Sequence, residues 1–498
     1  MSFIFSVDTL YKSRPPGVFL LHECNALNPM KPVNPQPHGD SRPGARLPWI
    51  MAIGCLLVVF ILILRPRPRE PDAAPPAAAG SGNSDASMTA THSGRGLHPG
   101  RTRPESPPPP ARPAEEIVAE KISQFARSRE EIVTAMAKHF NVAVPEDVNR
   151  FFAAVQAGNW PETTNLFTLL QKLRATENWP PGLEKLMPAI VETYGVAEQA
   201  QLWPAQKLLD YGNAVLDSLR PGMVYLGGND AGQFIPTLLT DTSGSAPHIV
   251  LTQNALADSS YLEYLRFRYG DKLNALSADD SQNGFKTYIA DAQKRLQHDL
   301  DFPNEPKQVR PGEDIRVTEG RVQVSGQVAV MAINEQLLQT LLQKNPDATF
   351  ALTESFPLKS LYAGATTLGP ITELRAGDPA DALTPERAAQ SLDYWRSTTQ
   401  TLLAGTEAAS APRDAYAKLI LGQASLFEDR KLTAAAEQAY QLVTSLSPGN
   451  PEGVFSYVKL LTDQQRYDEA RQLVQTAIAA APNNQLFPEV LIQLNKMK

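Results

Sequence analysis

Residues 223–239 read MVYLGGNDAGQFIPTLL, and this stretch decides the fold class. Met223-Val224-Tyr225-Leu226 is a short apolar run, Gly227 to Gly232 is a glycine-rich turn, and Phe234 to Leu239 has the look of a helix start. The order strand, turn, helix recurs downstream. His248-Ile249-Val250-Leu251-Thr252 leads into Gln253-Asn254-Ala255-Leu256-Ala257-Asp258 and a helical stretch from Ser259 to Tyr269. A third run, Thr349-Phe350-Ala351-Leu352-Thr353, ends at Glu354-Ser355. Strands alternating with helices predict an α/β centre over 221–383, with a parallel sheet in three layers.

Polar residues collect just past each predicted strand end. Gly227, Gly228, Asn229, Asp230 and Gly232 follow the first, Asn254 and Asp258 the second, and Glu354 the third. In open α/β sheets that rim is where ligands bind. Its carboxylates and amides suit a cation or the hydroxyls of a sugar, and its glycines let a ligand approach the backbone at a helix N-terminus. The competing reading is that Asn and Asp there only form turns and cap helices. The glycine spacing is neither a dinucleotide fingerprint nor a phosphate loop, since no Lys-Ser/Thr follows, and Asp230 would repel a phosphate. No nucleophile–base set is apparent, and His248 and His298 read as structural or surface residues. The sequence therefore offers no catalytic residue, metal site or cofactor.

Working outward, residues 114–220 form a helical front. Ile117, Ile122, Phe125, Ile132 and Met136 make a stripe at helix spacing. Pro145-Glu146-Asp147 opens a further helix, and Gly158-Asn159-Trp160-Pro161 breaks it. On the other side, Pro448 and Pro482 lie 34 residues apart. The same offset pairs Ala436 with Ala470, Phe427 with Leu461 and Asn450 with Asn484. Small alanines let paired helices approach and the prolines end each second helix, which is the pattern of tetratricopeptide repeats (TPR). Two α-hairpins are expected at 417–450 and 451–484, with a capping helix at 485–498. The segment 384–405, carrying Leu392, Trp395 and Leu402, is expected to dock them on the centre, because two repeats are few for independent stability.

Leu47 to Leu64 reads LPWIMAIGCLLVVFILIL, 18 residues without a charge, which is enough for one transmembrane helix. Trp49 stands at one edge and Arg65, Arg67 and Arg69 close the other. A cleaved signal is a poorer fit, because the run starts late and no small-x-small site follows. Residues 1–46 are a leader without order, within which Met30 is an alternative start, and 65–113 is a linker rich in Pro and Ala. Arginines on both flanks leave the orientation open. A large C-terminal part behind one anchor favours a bacterial inner-membrane protein with its soluble part in the periplasm. Residues 1–113 hold 12 Lys/Arg against 7 Asp/Glu, so the remainder carries 34 basic against 46 acidic residues. That acidic balance excludes nucleic acid as a partner. Cys24 and Cys55 both precede the soluble part, which leaves it neither a disulfide nor a thiolate zinc site.

The loop GGNDAGQF, with TQNALADSSYLEYLRFRYG after it, resembles a family of uncharacterised bacterial membrane-associated TPR proteins, whose pattern is GGTDPGRF followed by TQNALAD. It is more weakly similar to the soluble C-terminal region of protein O-mannosyltransferase-like membrane proteins. The resemblance spans about 140–430 and departs at Asn229, Ala231 and Gln233, where the pattern has Thr, Pro and Arg. It implies a fold and an association with membranes, and no activity. Two functional readings follow. One is a membrane-tethered scaffold that binds a protein or peptide through the repeat groove. The other is an envelope glycosylation enzyme, or a sugar- or phosphosugar-binding protein, working at the α/β rim.

Overall fold

The computed structural model describes residues 112–497, apart from 175–179, 181, 229, 245–247, 311–312, 319–320, 354–363, 375–382 and 406–409. The leader, the segment 47–64, the linker up to 111, Asn229 and Glu354 lie outside the described residues. Among those described, no helix is long and apolar enough to cross a membrane.

Five helices make the front: α1 (Ala114–Phe140), α2 (Glu146–Gln156), α3 (Trp160–Arg174), α4 (Leu183–Leu202) and α5 (Ala205–Leu216). Of the stripe read in α1, Phe125 and Met136 are buried and Ile117, Ile122 and Ile132 half-buried, while Val118 and Val133 join the core beside them, and Asn141 ends the helix in the left-handed region. Acidic Glu146 and Asp147 occupy the first turn of α2, complementing its dipole. The next elements are β1 (Val224–Gly227), α6 (Ala231–Asp241), β2 (Ile249–Thr252), α7 (Ser259–Tyr269), α8 (Ala278–Asp301), β3 (Asp314–Thr318), β4 (Arg321–Ser325), α9 (Gln327–Lys344), β5 (Phe350–Leu352), β6 (Ala365–Leu368) and β7 (Ile371–Leu374).

The sheet is small and mixed, with strand order β2-β1-β5-β7-β6. β1 is fully buried and pairs in parallel with β2 on one side and β5 on the other. β7 then runs antiparallel to β5, and β6 antiparallel to β7. The expectation of an all-parallel, three-layer centre is corrected by this pair: the molecule is mostly helical, and its sheet is half hairpin. The physical cause is a two-residue turn at Gly369-Pro370. Gly369 takes φ 55° and Leu368 pairs with Ile371, so the chain reverses without a crossover helix. A separate two-stranded ribbon, β3–β4, joins α8 to α9.

A buried charge network ties the front to the centre. Arg129 of α1 donates from Nε to Glu192 Oε2 of α4 at 2.6 Å, and Tyr264 OH of α7 donates to the same oxygen at 2.6 Å. Arg129 and Arg268 both donate to Asp241 at the end of α6. Two guanidinium groups thus face two carboxylates, and the desolvated charges are balanced.

After the sheet come α10 (Pro385–Ala404), the hairpin α11 (Ser410–Asp429) with α12 (Thr433–Leu446), the hairpin α13 (Pro451–Asp463) with α14 (Tyr467–Ala480), and α15 (Leu486–Leu494). Ala436 and Ala470 are fully buried, and Pro448 and Pro482 fall in the turns after α12 and α14. The backbone repeats with the same offset. Leu432 N donates to Phe427 O at 2.9 Å and Arg466 N to Leu461 O at 2.8 Å, while Lys431 and Gln465 both take positive φ. Gln423, buried in α11, accepts from Ser391 and Trp395 Nε1 of α10 and donates to Gly369 O at 2.9 Å and Ile371 O at 3.2 Å. Arg387 of α10 reaches Thr366 Oγ1 of β6 at 3.2 Å. The first hairpin therefore sits against the edge hairpin of the sheet.

Candidate functional site

The predicted rim residues separate into three groups. Some glycines are structural. A Cβ on Gly227 would come within 2.8 Å of Gln233 Cα, so glycine there allows α6 to begin close against β1. Tyr225 OH fills the space beneath the turn, donating to Gly232 O at 2.6 Å and lying 3.1 Å from Thr353 Oγ1. Thr252 Oγ1 reaches Gly228 O at 3.4 Å, which sets the end of β2 beside the turn. Asp258 is the N-cap of α7, accepting from Ser260 N at 2.9 Å and Ser260 Oγ at 2.6 Å. Asn254 O accepts from Asn334 Nδ2 at 3.3 Å, so its segment is stitched to α9. Asn229 and Glu354 lie outside the described residues.

Asp230 differs from all of these. It sits at φ 57°, ψ −119°, a conformation that glycine adopts freely and a side chain does not. Its carbonyl accepts from Gln233 N and Phe234 N at the start of α6, but its carboxylate makes no capping bond. Burial raises the Asp230 carboxyl above its usual range, against the pull of Lys418. Glu198, near the end of α4, is pushed up to about 7 by burial first and by the Asp230 charge second. Tyr194 donates to Glu198 Oε1 at 3.3 Å. The Tyr194 ring lies between Phe167, at 3.8 Å between centroids, and half-buried Trp160, at 5.5 Å.

Lys418 bears on Asp230 only as a distant opposite charge, and it has a counterpart in Glu452. They occupy the same position in the first helices of the two repeats, 34 residues apart. Glu452 is solvent-exposed on α13. Sequence reading placed Asp230 with Asn254 and Asp258, whereas its electrostatic partners are Glu198 from the front and Lys418 from the repeats. The signal for Lys418 and Glu452 was present in the repeat offset, as opposite charges at equivalent positions. Nothing local marks Glu198. Among the described residues no group of three or more His, Cys, Asp or Glu side chains is arranged to hold a metal ion.

No curated protein and no solved structure matches this chain. Residues 426–487 do match the tetratricopeptide repeat family, from the last turn of α11 through α12, α13 and α14 to the start of α15. The chain is thus a protein that contains tetratricopeptide repeats, a module that mediates binding between proteins.

Proposed function

We propose that this protein is a membrane-tethered scaffold of the bacterial envelope that binds a protein partner across the first helices of its repeats. The observation that carries the reading is the repeat-family match at 426–487, in helices joined to the sheet edge through Gln423. The apolar run 47–64 supplies the anchor and the acidic soluble part faces the periplasm. The alternative is a glycosylation enzyme or a sugar-binding protein working at the α/β rim, where Asp258 would act while also capping α7.

Site-specific photo-crosslinking from membranes tests the scaffold. A crosslinker at Ser456 or Lys459, on the first helix of the second repeat, is expected to capture one reproducible partner. The same group at Gln475 or Thr476, exposed on the second helix, is expected to capture none. Equal capture from both faces, or none from either, removes the repeat surface as a docking site. For the anchor, deletion of 47–64 should move the chain from the membrane to the soluble fraction.

A further inference from the structure

Helices α1 and α7 end side by side at the surface. The His139 ring, in the last turn of α1, lies 4.8 Å from Phe140 and 5.7 Å from Phe267 of α7, centroid to centroid. Phe267 is 37% exposed, so an aromatic ring stands partly in water. Just past it α7 ends at Gly270, and Arg266, Phe267, Arg268 and Lys272 line one open surface cavity.

The charges here do not balance. Arg268 is bound to Asp241 and Glu192, and Lys185 pairs with Glu263 at 3.4 Å while lying over the Phe140 ring at 4.2 Å. Lys344 of α9, whose carbonyl accepts from Asn274, is held by Asp280. Lys138, Arg266 and Lys272 are exposed and have no ion pair among the described residues. Asp271 is the one carboxylate lining the cavity. The body as a whole carries 34 basic against 46 acidic residues, so this gathering of cations runs against its surroundings. The helix dipole accounts for Lys138, His139 and Arg266, which sit in last turns. It does not account for Lys272, which lies past the helix, or for the exposed ring of Phe267.

Cations alone suit any anionic surface. An exposed aromatic ring among them suits a boundary between water and an apolar layer, where the ring sinks in and the charges stay at headgroup level. An acidic protein face supplies the charge without that layer. Reach is sufficient. Residues 65–113, between the apolar run and α1, can span up to roughly 160 Å. That is several times the roughly 40 Å length of α1, whose far end carries the patch.

We propose that the joined ends of α1 and α7, with Lys138, His139, Arg266, Phe267 and Lys272, are a docking surface for the acidic phospholipid headgroups of the membrane. This rests on the tethered-scaffold reading and adds which face of the folded body meets the bilayer.

The test uses the full chain reconstituted into phosphatidylcholine vesicles that contain a minor share of phosphatidylglycerol. A photoreactive phenylalanine analogue is placed at position 267, and its adducts are identified by mass spectrometry. Phosphatidylglycerol adducts are expected at several times that lipid's share of the bilayer. The same group at Gln475, exposed on the second helix of the second repeat, is expected to take no lipid. Each cation near an anionic surface is worth about fivefold in binding. Arg266→Gln combined with Lys272→Gln should therefore cut the adducts at least fivefold, with an unchanged melting temperature because both side chains are exposed. Salt at about 1 M, where charges are screened beyond about 3 Å, should do the same.

Adducts with the two lipids in proportion to their abundance overturn the docking surface, and so do adducts undiminished in the double variant. Adducts with protein alone overturn it in favour of an acidic polypeptide. The tether fails separately. Release of the full chain from pure phosphatidylcholine vesicles by alkaline carbonate removes the anchor, and phosphatidylglycerol adducts at 267 then rest on the patch alone. A chain that resists carbonate and gives no lipid adduct keeps the anchor and loses this surface.

Discussion

Asp230 and Gly227 sit in one turn and answer opposite demands. At Gly227 a methyl group would meet backbone, so Gly227→Ala forces α6 away from β1 and should destabilise by about 2 kcal/mol or more. At Asp230 the residue itself is strained. Glycine would relieve that strain and remove a desolvated carboxylate, while adding about 0.5–1 kcal/mol of unfolded-state entropy. The strain is the larger quantity, so Asp230→Gly should stabilise by roughly 1 kcal/mol in urea denaturation. Lower stability in that variant would mean that the carboxylate has a structural role after all. Glu198 gives a pH dependence. Its carboxyl is raised to about 7 in the fold, by burial first and the Asp230 charge second and against the Tyr194 hydrogen bond, and returns to the usual carboxylate value on unfolding. The folded state therefore binds that proton more tightly. Its contribution is favourable in mild acid and is lost as pH rises through the window up to about 7. Glu198→Gln mimics the protonated form, so its melting temperature should exceed that of the parent at pH 8, by a few degrees at most, and match it near pH 4.

At the scale of elements, two buried polar groups decide how the parts join. Gln423 is 1% exposed and satisfies Trp395 Nε1, Ser391 and two carbonyls of the β6–β7 turn. Gln423→Leu keeps the volume and orphans all four, at about 1–3 kcal/mol for each buried group left without a partner. We expect a loss of at least 3 kcal/mol and a red shift of Trp395 emission, and an unchanged spectrum would show that α10 and α11 hold without it. Glu192→Gln leaves the two guanidinium groups, Arg129 and Arg268, with one carboxylate, and should also cost about 3 kcal/mol. Legibility follows from how local each signal is. The strands at 224–227, 249–252 and 350–352, the helices of the front and the repeat period are written in runs of neighbouring residues. The β6–β7 hairpin was readable too, as ATTL and ITEL about a Gly-Pro turn, but four-residue strands rich in Thr carry little apolar pattern. The β3–β4 ribbon shows the alternation DIRVT and RVQVS and was obscured by the longer helices around it. The charge network has no sequence signature, because Arg129, Glu192, Asp241 and Arg268 are each ordinary on their own helices.

For the molecule as a whole, the repeats are docked on the sheet edge and on the front through side chains that no single window of sequence contains. The same docking sets a gradient of stability. α11 is held by the sheet edge through Gln423 and by the front, where Tyr416 meets Tyr211 edge-on at 5.2 Å. α13 packs on α12, and α15 rests on α14 and, through Phe487 beside Phe455 at 5.4 Å, on α13. Repeat arrays unfold from the end that lacks a neighbour. Hydrogen exchange of the full chain should therefore show α11 protected to the level of β1, α13 and α14 less so, and α15 first to open.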